Sequence, residues 1–62
     1  MKFKFVFSAR KRIEHGKFYA VDVLVEAINF ETAKDIAWDN IKNEYEINAC
    51  VSFQQLEPED KL

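Results

Sequence analysis

The opening residues, MKFKFVFS, place phenylalanine at 3, 5 and 7. Bulky aromatics alternating with lysine, valine and serine at a two-residue period define a strand with one face in a core and the other facing out. Nothing else in the chain constrains the fold as strongly. A second strand is expected from Phe18 to Ala27, with Tyr19, Val21, Val23 and Val25 on its apolar face and Phe18, Ala20, Asp22, Leu24 and Glu26 on the other.

Both apolar sets are odd-numbered, so the two strands must align with odd residues facing the same side. A two-residue His15-Gly16 turn would set Phe7 opposite Leu24 and separate the apolar faces. A three-residue loop, Glu14-His15-Gly16, keeps them together, with Gly16 in the left-handed position of a bulged turn. That register pairs Phe7 with Val23, Phe5 with Val25, Val6 with Leu24 and Lys4 with Glu26, each a favourable cross-strand pair.

Asn29 is a good N-cap, Ile28 stands where it could staple onto Ala33, and Glu31 lies in the first turn, where the helix dipole favours an acid. Phe30, Ala33, Ala37, Ile41 and Tyr45 then form one apolar stripe, with Trp38 on its flank and Glu31, Asp35, Asp39 and Lys42 behind. This spacing predicts a helix over residues 30–44. A third strand follows, in which Ile47, Ala49, Val51 and Phe53 alternate with Asn48, Cys50, Ser52 and Gln54.

The resulting fold class is α+β: a two-layer ββαβ sandwich with one helix on the odd-numbered face of a three-stranded mixed sheet. The right-handed crossover rule sets strand three parallel to strand two. Strand order 2-1-3 is preferred, because it puts the phenylalanine strand in the middle; 1-2-3 is the alternative. Residues 1–56 form the single domain and residues 57–62 a frayed acidic tail.

The chain has 62 residues, 48% of them hydrophobic, so it has material for one core. A chain this short buries only about 60% of the surface it exposes when unfolded. One cysteine and one histidine exclude a disulfide within the chain and a zinc site built from Cys and His, and no cofactor or metal is expected. Cys50 reads as a packed thiol. Lys2 and Lys4 are followed by no long apolar run, so neither a signal peptide nor a membrane span is expected and the cytoplasm is the natural location. Residues 1–18 carry a net charge of +5 and residues 19–62 one of −7, which predicts an electrical dipole.

Three surfaces are candidate binding sites. The sheet face away from the helix gathers Val6, Phe18, Ala20, Leu24, Cys50 and Leu56 among polar neighbours, a pattern that suits a protein interface. The basic hairpin tip, with Arg10, Lys11, Arg12, His15 and Lys17, could track phosphates. The helix back, with Glu31, Asp35 and Asp39 at four-residue spacing, could dock a basic partner, although hard-cation sites usually draw on a shaped loop. Trp38 is a further hot-spot candidate if exposed. His15 has only Glu14 as a neighbouring acid and reads as a loop residue.

No nucleophile and base pair and no phosphate loop is present, so an enzyme is not expected. The leading expectation is a non-enzymatic protein-binding module that occludes a larger macromolecule, with a homodimer through the outer sheet face or the strand-three edge as a further option. In size and composition alone the chain resembles small inhibitors encoded by phages and mobile elements. Nucleic-acid binding through the hairpin tip is the alternative.

Overall fold

Phe3, Phe5 and Phe7 lie buried on β1 (Lys2–Lys11), the middle strand of a three-stranded sheet, in a computed structural model that describes residues 1–56. β2 (Tyr19–Glu26) flanks β1 on one side and β3 (Tyr45–Leu56) on the other, and α1 (Phe30–Ile41) joins β2 to β3. The order is 2-1-3 and the fold is a small α+β ββαβ unit. Both neighbouring pairs are antiparallel, so the sheet is not mixed. β2 and β3 share a direction, but β1 lies between them. The acidic tail expected at 57–62 lies outside the described residues.

β1 and β2 pair two residues away from the expected register: Phe3 faces Val25, Phe5 faces Val23 and Phe7 faces Val21. A shift of two keeps odd with odd, so the apolar faces still coincide. It also replaces the expected Lys4–Glu26 pair by a Lys4–Asp22 ion pair at 3.7 Å. The cause lies at the tip. Beyond Ala9, β1 leaves β2 but stays on β3, with Arg10 opposite Glu46 and Lys11 opposite Tyr45. The Arg12 backbone N–H then donates to Glu44 O at 2.9 Å. The chain therefore returns through a wide loop, residues 12–18, and Gly16 has no positive φ. The three-residue bulged turn does not form.

Asn29 caps α1 as expected, its side-chain oxygen accepting from Thr32 N at 2.8 Å. The Ile28 staple is not made, because Ile28 points to solvent while Ala33 is fully buried. The helix ends at Ile41 rather than at residue 44, because Arg12 draws on the segment beyond it: its Nε donates to Lys42 O at 3.0 Å and its backbone N–H donates to Glu44 O. Tyr45 thus opens β3 instead of closing the helical stripe.

The core consists of Phe3, Phe5, Phe7, Ala9, Val23 and Val25 from the sheet with Ala33, Ala37 and Ile41 from the helix. Two alanines at the contact let the helix approach closely, and it packs over β2 and β1. A helix about 10 Å across covers roughly two strands spaced about 4.8 Å apart. β3 is the strand left over. Its Ala49, Val51 and Phe53, expected in the core, are exposed. Two register shifts against β1 contribute, one between Val6 and Phe7 and one between Ser8 and Ala9. They carry Cys50 onto the face of Phe7 and Ala49 onto that of Ser8, reversing the alternation expected there.

Candidate functional site

Among the described residues no element covers the sheet face opposite the helix. Its side chains follow from the register in rows of three, one residue from each of β2, β1 and β3: Glu26, Lys2 and Leu56; Leu24, Lys4 and Gln54; Asp22, Val6 and Ser52; Ala20, Ser8 and Ala49. Leu24, Val6 and Leu56 therefore alternate with charges in a checkerboard and do not merge into one apolar patch. Leu24, 68% exposed, is the most prominent of them. It shares with Leu56 a shallow cavity of ≈ 260 Å³, lined also by Lys2, Phe3, Val25 and Glu26. Lys4 is turned aside by its pairing with Asp22.

Two residues grouped with this face lie elsewhere. Cys50 faces the helix side, as the bulge requires, and its exposed thiol lies 3.6 Å from Ser52 O. Its expected packing as a small apolar residue is not made. Phe18 precedes β2 in the tip loop, with the Arg10 guanidinium 4.7 Å above its ring. Ala20 remains on the face but separated from Leu24 by the Asp22 row.

At the hairpin tip the cations are largely engaged within the chain. Arg10 pairs with Glu46 at 3.0 Å, donates from Nη1 to Gly16 O at 2.8 Å and stacks on Phe18. Lys11 reaches Glu44 at 3.8 Å, and Arg12 holds Lys42 O. These contacts brace the tip against the segment joining α1 to β3. His15 and Lys17 are exposed. With β1 between acid-bearing strands, Lys4, Arg10 and Lys11 each meet a carboxylate. Part of the charge that is segregated along the chain is thus paired across strands in space.

Glu31, Asp35 and Asp39 are exposed on α1, and Asp39 pairs with Lys42 at 3.1 Å. Among the described residues no group of three or more His, Cys, Asp or Glu side chains could hold a metal ion. Trp38, 42% exposed, sets its ring edge-on to Phe7 at 6.0 Å and covers the rim of the core. The helix back and the bare sheet face lie on opposite sides of the molecule, with the tip at one end, so the three candidate surfaces remain separate.

A fourth surface was hidden by the expectation that β3 would be covered. Val51 and Phe53 are 64% and 60% exposed. With Phe30, Lys34, Cys50 and Ser52 they line a groove of ≈ 420 Å³ between α1 and β3. Phe53 touches Phe30, ring centroids 4.6 Å apart, so only one side of its ring is covered. A single helix about 10 Å across, set against three strands about 4.8 Å apart, is the signal that this side would be bare.

No helix of the described residues is long and apolar enough to cross a membrane. The chain matches no protein-family model, no curated protein and no solved structure.

Proposed function

We propose that this chain is a non-enzymatic protein-binding module that uses its bare sheet face to cover the surface of a larger protein. The observation that carries the reading is Leu24, exposed at the middle of β2 beside the Leu56 cavity, on a face that no part of the described chain covers. Lys2, Lys4, Asp22 and Glu26 surround it, and such a mixture of apolar and charged side chains is the usual make-up of a non-obligate protein interface. A flat face without a deep cleft suits occlusion of a partner better than turnover of a small substrate. The internal commitments of Arg10, Lys11 and Arg12 make the tip a brace before it is a phosphate clamp.

The test is affinity capture from the native host with the intact chain and with Leu24→Lys. A specific protein partner retained by the intact chain and lost with Leu24→Lys, while the circular dichroism spectrum is unchanged, supports the reading. Capture indifferent to Leu24, or recovery of nucleic acid in place of protein, overturns it.

A further inference from the structure

We infer that β3 pairs antiparallel with β3 of a second copy, about a two-fold axis at Ser52, joining two three-stranded sheets into one of six strands. This goes beyond the proposed partner of the bare face and uses a different surface. Among the described residues β3 is hydrogen-bonded to β1 alone, so its other edge presents N–H and C=O groups along Tyr45–Leu56 that no other described strand pairs. Proteins usually blunt such an edge with lysine, proline or inward charges. Residues 48–56, NACVSFQQL, contain none of these, and Glu46 is the one charged residue in the whole strand. Among the described residues the bulges toward β1 are the one protective device, and from Ser52 to Leu56 the ladder is uninterrupted.

The side-chain pattern is complementary to itself. An axis at Ser52 sets Val51 opposite Phe53 of the second copy and Phe53 opposite its Val51. Aromatic and β-branched residues make favourable cross-strand pairs. The two most exposed apolar side chains of β3 thereby cover each other, beside the groove they line with Phe30. Because the bulges put Cys50 on the helix side and Ala49 on the other, the neighbouring same-face pairs are Gln54 with Ala49 and Gln55 with Ile47, so no like charges meet. A strand from a charged partner would forgo this match. The helix does not obstruct the approach, because α1 packs over β2 and β1, away from the open edge. A small domain also gains from added burial, and six strands lie within the ordinary range for a sheet.

An interface built on one strand pair is small, and its Kd should lie in the micromolar range. Sedimentation equilibrium of the intact chain from roughly 5 to roughly 500 µM should show a monomer giving way to a dimer. Val51→Lys, at a position already exposed in the monomer, should raise the Kd at least about ten-fold, whereas Leu24→Lys should leave it unchanged. The axis is tested by Cys50→Ser combined with Ser52→Cys: opposed Cα atoms about 4.5–5.5 Å apart fall within disulfide range, so mild oxidation should give a covalent dimer. Native Cys50, set beside Phe53 of the second copy rather than beside its symmetry mate, should cross-link far more slowly. A monomer at every concentration, a dimer broken by Leu24→Lys but not by Val51→Lys, or a dimer in which position 52 fails to cross-link would each overturn the proposal.

Discussion

Phe5 is the residue on which the others converge: fully buried, its ring lies 6.2 Å from those of Phe3 and Phe7, 5.7 Å from Phe30 and 6.5 Å from Phe53. Truncating such a ring to alanine costs about 3–5 kcal/mol, against roughly 3–9 kcal/mol for a domain of this size. Phe5→Ala is therefore expected to lose a large share of that stability, read as a much lower midpoint of the thermal transition in circular dichroism. Ala37 lies on the buried face of the helix with no exposed surface. Ala37→Leu should lower stability by about 1–3 kcal/mol through overpacking, measured by urea titration. Gly16 behaves in the opposite way: no φ strain holds it and nothing lies within 4 Å of an added Cβ. Gly16→Ala should leave the urea midpoint unchanged or raise stability by up to about 1 kcal/mol, whereas a glycine-dependent bulged turn would make the same change destabilising.

Strand β1 was legible because its pattern is local: Phe3, Phe5 and Phe7 announce their own face, and the odd numbering of Val21, Val23 and Val25 forces the parity of the pairing. The register itself was not. It turns on where the backbone of Arg12 finds an acceptor, and that acceptor, Glu44 O, is on the far side of the helix. The same contact explains the helix stopping at Ile41 while the apolar stripe runs on to Tyr45. On β3 the alternation of Ile47, Ala49, Val51 and Phe53 reads as a regular buried strand, yet bulges opposite β1 and a helix offset toward β2 leave most of it in solvent. At this scale the tip brace is testable. Arg10→Ala removes an ion pair, a hydrogen bond and a ring contact, and should cost about 1–2 kcal/mol in urea titration. The loss should be accompanied by faster amide exchange in residues 12–18.

For the whole molecule, the two surfaces proposed for binding make different demands. The bare face combines Leu24, Val6 and Leu56 with interleaved charges, so its binding to a larger protein should weaken as salt rises. The β3 edge is free of charge over residues 48–56, so self-association there should be insensitive to salt or strengthened by it. Sedimentation and affinity measurements at low and high sodium chloride would separate the two, and a salt-weakened dimer would assign self-association to the charged face. Pairing through β3 would also extend the bare face across six strands, offering a partner two equivalent Leu24 sites and the avidity that follows. The order of strands has a further consequence, in time. The middle strand of the sheet is the one synthesised first, and its second neighbour, Tyr45–Leu56, follows the helix. Until that neighbour arrives, β1 keeps one edge open, and closing the sheet brings Lys2 to Leu56 across nearly the whole described chain. Folding dominated by such distant pairings is slow for a protein this small, leaving KFKFVFS exposed to misassembly during the wait.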